Sequence, residues 1–346
     1  MLWIIAHKIP KTLIYVLKPP IYHEMNGLKR DGRKFDMNIL VQGAGALGAY
    51  FGGRLLEAGH NVAFFVREKR AAQLKKEGLK INSPEGNFES SDVTVYTSPE
   101  EVQPTDLVIF AVKGYHLEQA IPQVQAIVAR TGALVLPLLN GMEHIERLQQ
   151  AIGKEKVLGG FAAIIATLNE HGHVVHTSSS SVAKFGALHS NQTAICEQLE
   201  EINEQVKTSL VREDNILKNM WKKYILITAF SGVTSAMQLP TGYIASSQAT
   251  FNVVKKVVYE MNELAKLEGI HLTEQEVEKI ANNVKSFKPT ATSSMHQDMR
   301  KGLPIEVEHL QGGALRIAAK HNIEIPVIET LYGLLKPYEN GKPAEC

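Results

Sequence analysis

The chain has 346 residues, 44% of them hydrophobic, which is enough for two domains with a substantial core. Its 37 Lys and Arg nearly balance its 36 Asp and Glu, and a net charge of +1 spread along the chain excludes the basic footprint of a nucleic-acid binder and points to small-molecule partners. Two cysteines, Cys196 and Cys346, are too few and too far apart for a disulfide framework or a cysteine metal site, which fits a reducing, cytoplasmic setting.

Residues 1–36 hold short apolar pieces broken by Lys8, Pro10, Lys11 and Lys18. They cannot supply the ~20 apolar residues of a membrane span, and no small-residue cleavage site follows them. They read as an N-terminal extension outside the core, ahead of a start at Met37, rather than as a basic membrane-surface tail, and no stable membrane association is expected.

From Met37 onward, β-rich apolar runs alternate with amphipathic stretches, the pattern of a parallel sheet covered by helices. The runs NILVQ (38–42), NVAFFV (61–66), DLVIFAV (106–112) and GALVLPLL (132–139) predict strands, with helices near 46–58, 68–77 and 115–129. A hairpin-like excursion, LKINSPEGNFESSDVTVY, turns at Pro84 to Asn87. KVLGGFAAIIATL, GHVVHTS and VAKFGAL predict further strands extending the same sheet in mixed directions. From about residue 213 strand signals fade, and helices are expected over 215–236, 247–267, 273–286, 293–300, 305–320 and 326–336. The resulting parse is an extension (1–36), an α/β domain (37–212) and a helical domain (213–346).

Gly43, Ala44, Gly45, Ala46, Leu47 and Gly48 form a G-x-G-x-x-G loop between a strand and a helix, with a second strand following. This is the dinucleotide fingerprint, in which glycines permit the turn and the approach of a pyrophosphate to the helix N-terminus. At the end of the second strand, where an acid would select NAD, stands Arg67, which suits the 2′-phosphate of NADP. Glu68 beside it also suits an ordinary helix first turn. Lys113 and Asn140 follow two other strands at their carboxyl ends, the ligand-binding edge of such sheets; taken alone they read more readily as a surface lysine and an Asn-Gly turn.

Two adjacent lysines interrupt the apolar run NMWKKYILITAFSG at 219–232. On a helix Asn219, Lys223, Ile227 and Ser231 share a face, whereas Lys222 lies with Leu226 and Ala229. Either both ammonium groups reach solvent along their stems, or one is desolvated and becomes a better proton donor than its reference pKa of ~10.4 implies. Downstream, Ser293 or Ser294 can cap a short helix, and Glu306 opens the next one. His171, His173 and His176 have no carboxylate or cysteine companions, so no metal site is expected.

Taken in order, GAGALG (43–48), VK (112–113), NGM (140–142), MWKK (220–223), SSMHQD (293–298) and IE (305–306) resemble the successive signatures of the ketopantoate reductase (2-dehydropantoate 2-reductase) family, from Met37 to near Lys336. The resemblance implies an α/β Rossmann-type N-terminal domain followed by an all-α C-terminal domain, and NADPH-dependent reduction of 2-dehydropantoate to pantoate, a step of pantothenate and coenzyme A biosynthesis. It implies cofactor contacts from Gly43 to Gly48 and from Arg67, Lys113 and Asn140; a proton donor in Lys223; an acid in Glu306; and substrate contacts from Asn140, Ser231 and Ser294. The chain departs from the family where asparagines commonly bind ketopantoate: those places hold Ile227, Ser231 and Thr241. Loss of such polar contacts shifts selectivity, so a D-2-hydroxyacid dehydrogenase acting on branched or aromatic 2-oxo acids is the alternative. A non-catalytic NADPH sensor is the reading from another class. Oligomeric state is left open, a homodimer among the options.

Overall fold

The computed structural model describes residues 37–179 and 181–343; the extension over 1–36 and Cys346 lie outside the described residues. Twelve strands occur among them in chain order: β1 (Asn38–Gln42), β2 (Asn61–Phe65), β3 (Leu79–Asn82), β4 (Phe88–Ser90), β5 (Thr94–Tyr96), β6 (Leu107–Phe110), β7 (Leu134–Pro137), β8 (Gly159–Ala163), β9 (Ala166–Leu168), β10 (Val174–His176), β11 (Val182–Gly186) and β12 (Ser209–Arg212). The helices of the first half are α1 (Ala46–Glu57), α2 (Glu68–Glu77), α3 (Leu117–Thr131), α4 (Glu143–Ile152) and α5 (Thr193–Ile202). Those of the second are α6 (Ile216–Met237), α7 (Thr241–Ser246), α8 (Gln248–Leu267), α9 (Glu274–Ser286), α10 (Ser294–Arg300), α11 (Gly313–Lys320) and α12 (Pro326–Leu335).

The central sheet is parallel throughout, in the order β5-β2-β1-β6-β7. Strand alternation divides its side chains between two cores. Ile39, Val41 and Ile109 face the layer containing Tyr50, Phe51 and Phe185, while Leu40, Val108 and Phe110 face Val124 and Ile127 of α3 and Leu148 of α4. Both faces are therefore covered, which is why these strands read as continuous apolar runs.

The later strands depart from expectation. They do not extend the central sheet but build two smaller ones, β4-β3-β10-β9 and β12-β11-β8. A single parallel bridge, Val135 to Val157, leads from β7 toward β8. The predicted hairpin is present as β3 and β4, closed by a turn in which Gly86 N–H donates to Ser83 O at 3.0 Å, whereas β5, the end of the same stretch, joins the central sheet.

Helices α6, α8, α9 and α12 pack around Ile225, Val254, Val257, Met261 and Ile328, each buried at 0% exposure. At roughly 1.5–3 kcal/mol per fully buried side chain, this apolar contact outweighs any intrinsic helix preference. Asn215 caps α6 by accepting from Lys218 N–H at 3.2 Å, and Thr273 and Glu276 form a reciprocal capping box on α9. The helix expected over 305–320 begins at Val307 and runs through a π turn at Glu308–Gly312 into α11. Glu306 stands at its N-terminal boundary and opens it, its carbonyl accepting from Leu310 N–H at 3.0 Å.

Candidate active site

The chain passes from β1 to β2 on one side and later returns to β6 on the other, so the crevice between the carboxyl ends of β1 and β6 is the topological switch point where such sheets bind ligands. The glycine loop lies there. Gly43 has φ +96°, and a Cβ on it would sit 2.9 Å from Ala111 O; one on Gly48 would sit 1.9 Å from Gly43 O. At Gly45 a Cβ would meet nothing within 4 Å, so the outer face of the loop is open. Gly45 is also the N-cap of α1, which has neither a capping side chain nor an acid in its first turn. Its first N–H groups therefore suit an anion, and the run Gly43, Ala44, Gly45, Ala46, Leu47, Gly48 fits a dinucleotide pyrophosphate by its donor chemistry.

Arg67, the N-cap of α2, is exposed, and its Nη2 lies 3.3 Å from His116 Nε2. Among the described residues no carboxylate pairs with this guanidinium, so it suits an anionic group brought by a ligand. Arg70, which the sequence reading passed over, reaches back to hold the loop: its Nε donates to Ala44 O at 2.9 Å.

A line of polar atoms follows along the same edge. Lys223 Nζ donates to Asn140 Oδ1 at 3.0 Å and to Ala162 O at 2.8 Å, and stands 5.3 Å from the centre of the Phe161 ring. Asn140 Nδ2 donates onward to Glu306 Oε2 at 3.4 Å. Glu306 Oε1 accepts from Gly114 N–H at 3.0 Å, and Lys113 Nζ lies 3.5 Å from Oε2. Asn140 thus joins the two groups expected to meet: Lys223 and Glu306 converge through its amide rather than touching. Lys113 reaches further, donating to Asp298 Oδ2 of α10 at 2.9 Å.

Burial sets the proton affinities here. Desolvation lowers Lys223 to about 8, with Glu306 acting in the opposite sense. Glu306 is 6% exposed; burial raises its pKa, but Lys113 and the Gly114 N–H prevail and hold it below the ordinary carboxylate value. Lys113 keeps 43% of its side-chain exposure; partial desolvation pulls its pKa down, and Glu306 and Asp298 raise it by more, so it stays charged. His144, buried at the start of α4, is lowered to about 3 by burial, then by Lys223 and His309, and is therefore neutral at neutral pH. At pH 7 a lysine of pKa about 8 is roughly nine-tenths protonated and still ready to give up its proton.

The neighbouring lysine does something else. Lys222 pairs with Glu276 Oε1 of α9 at 2.7 Å, outside the site. Ile227, one turn after Lys223, walls the adjoining cavity with Leu139, Phe161 and Met220. Ser231, two turns on, is 4% exposed. Thr241 is turned to a structural use, its hydroxyl donating to Lys288 O at 2.7 Å. At α10 it is Ser293 that caps, accepting from His296 N–H at 3.1 Å, while Ser294 is exposed in the first turn. Asp298 and the Ala162 carbonyl were missed as site groups: the first is one letter of a recognised motif, and the second is backbone and has no sequence signal.

Two family models match the chain, ketopantoate reductase PanE/ApbA over residues 39–190 and its C-terminal counterpart over 215–339. The uncharacterised oxidoreductase YkpB of Bacillus subtilis is 37% identical over 88% of this chain and 100% of its own length. The crystal structure of 2-dehydropantoate 2-reductase from Geobacter metallireducens superposes with a TM-score of 0.77 at 27% identity, covering 87% of this chain and 99% of that one. The ternary structure of D-mandelate dehydrogenase with NADH and anilino(oxo)acetate has a TM-score of 0.79 at 23% identity over 88% and 98% of the two chains, a likeness of fold. A Rossmann-like sheet domain joined to a helical domain, matched by both family models in order, makes this chain a member of the ketopantoate reductase PanE/ApbA family.

Proposed function

We propose that the chain reduces a 2-oxo acid to a 2-hydroxy acid with NADPH, 2-dehydropantoate being the first substrate to test. The observation that carries this reading is the Lys223 ammonium, desolvated to a pKa of about 8 and aimed by Asn140 Oδ1 and Ala162 O at the sheet edge that bears the glycine loop. The residues that would hold the cofactor are Gly43 to Gly48 at the pyrophosphate, Arg67 at a 2′-phosphate, and Lys113 and Asn140 toward the reacting end. When bound, NADPH supplies the hydride that adds to the 2-oxo carbon. Lys223 Nζ gives a proton to the oxygen that gains the electron pair, and solvent then reprotonates the amine. Asn140 orients the lysine, and Glu306, kept ionised by Lys113 and Gly114 N–H, supports the ammonium through the Asn140 amide. Ser294 and Ser231 are proposed for the substrate's carboxylate and its far end.

A second reading rests on Ile227. With Leu139, Phe161 and Met220 it makes an apolar wall beside Lys223 that offers a substrate hydroxyl no partner, which favours a D-2-hydroxyacid dehydrogenase acting on branched or aromatic 2-oxo acids. The test is loss of nicotinamide absorbance with ketopantoate, 2-oxoisocaproate and phenylglyoxylate, each with NADPH and NADH. Fastest turnover of ketopantoate with NADPH supports the first reading, and preference for either other acid supports the second. Tight NADPH binding with no oxidation by any of them would overturn both in favour of a sensor.

A further inference from the structure

Asp298 lies outside every role assigned above, yet it makes the shortest contact of the Lys113 ammonium, 2.9 Å against 3.5 Å to Glu306. The ammonium is therefore shared between two carboxylates from different parts of the helical half, Asp298 on α10 and Glu306 ahead of the π turn. Only Glu306 connects onward to Lys223, through Asn140. We propose that Asp298 is a positioning residue for proton donation: by drawing the Lys113 ammonium toward itself, it leaves the Glu306 carboxylate free to support the Lys223 ammonium across the Asn140 amide. This rests on the reading of Lys223 as the donor.

The charges around the line are few. Lys223 faces the Asn140 amide of the loop after β7, the Ala162 carbonyl of β8, the Phe161 ring, and the neutral His144 of α4. Glu306 faces Lys113, the Gly114 N–H, Asn140 and, from the π turn, His309, whose ring packs against Gly114. Tyr115 feels Lys113 and both carboxylates. Glu306 is the charge that acts on Lys223. Neutralising Asp298 leaves the Lys113 ammonium to Glu306, where it screens the carboxylate from Lys223 and so destabilises the protonated lysine. Reduction needs that proton, and its rate falls as pH rises through the Lys223 pKa; a lower pKa moves this alkaline limb to lower pH.

The experiment compares wild type, Asp298→Asn, Asp298→Glu and, as a control at a surface ion pair, Glu276→Gln. Two readouts are taken: the pH profile of kcat with NADPH and the best 2-oxo acid, and the titration of the Lys223 amine itself, by pH-dependent competitive acylation of the full-length protein read by mass spectrometry. The expected result is an acid-ward shift of both by about half a unit or more in Asp298→Asn, with reversal in Asp298→Glu and no shift in Glu276→Gln. An Asp298→Asn protein that folds, as judged by its melting curve, but titrates as wild type does would reduce Asp298 to a strut between α10 and the Lys113 loop and overturn the proposal. Amine titration needs no substrate, so it decides the proposal even if no 2-oxo acid is turned over, an outcome that would count against the assigned activity alone.

Discussion

At position 223 the apolar neighbourhood and the two neutral oxygens compete for one proton. Two hydrogen bonds to uncharged acceptors do not replace the hydration an ammonium loses on burial, which is several kcal/mol, so the pKa drops toward neutrality without the charge being expelled. Lys223→Ala is expected to lower kcat by about 10² or more, as loss of a general acid does. NADPH affinity, measured by fluorescence titration, should change less than about threefold, because the glycine loop is untouched; equal loss of both would mean the substitution had disturbed the fold. Helical spacing had put the two lysines on different faces but left open which was buried. The answer lies in tertiary contacts: Lys223 turns in to Asn140 and Ala162, while Lys222 pairs with Glu276 on the other side of the helix. Spacing likewise put Ile227 and Ser231 on the face of Lys223, whereas Thr241 proved to be tied to the Lys288 carbonyl, a contact between distant backbone segments that no local pattern records. Asp298 escaped notice for the same reason, since its significance is its distance to Lys113.

At the scale of elements, the glycine turn makes a prediction with two opposite halves. Gly48→Ala forces a methyl group against the Gly43 carbonyl and should destabilise the protein by about 3 kcal/mol, with a clear fall in Tm. Gly45→Ala puts the same methyl into open space, so Tm should move by only about 2 °C or less while NADPH binding weakens about tenfold or more. Calorimetry and cofactor titration on both variants check this; a Gly45→Ala protein that binds NADPH normally would mean that the ligand does not cross this loop. The strands of the central sheet were legible because burial on both faces makes them uniform apolar runs. Those after residue 155 were legible as strands but not as sheets, because pairing partners such as β3 and β10 are far apart in the chain and nothing in either run specifies the other. Helix α7, six residues long, and the π turn at Glu308–Gly312 are too short for a periodic pattern to establish itself.

Across the whole described chain, the approach of Glu306 to Asn140 depends on how the segments carrying them are tied together. Arg316 on α11 donates from Nε and Nη2 to the two carboxylate oxygens of Glu143 on α4, both at 2.7 Å, and from Nη1 to Glu308 at 2.9 Å. Glu308 also accepts from Tyr332 and Lys336. Burial alone would raise the Glu308 pKa, but Lys336, Tyr332 and Arg316 bring it down to about 2. A carboxylate with a depressed folded pKa contributes stability above its unfolded value near 4.5, and that contribution is lost as pH falls toward 2. Glu308→Gln is therefore expected to lower Tm by a few degrees at pH 7, with the difference from wild type shrinking steadily below pH 4.5. A constant difference across that range, in scanning calorimetry, would remove the ion pairs as its source.

The atoms that join the ammonium to the carboxylate come from residues 140, 223 and 306, spread over 166 positions of the chain. The line is therefore complete only when the sheet-bearing and the helical halves are both folded. A chain lacking the segment that carries Glu306 would keep the glycine loop proposed for NADPH and lose the carboxylate on which the proposed proton donor relies.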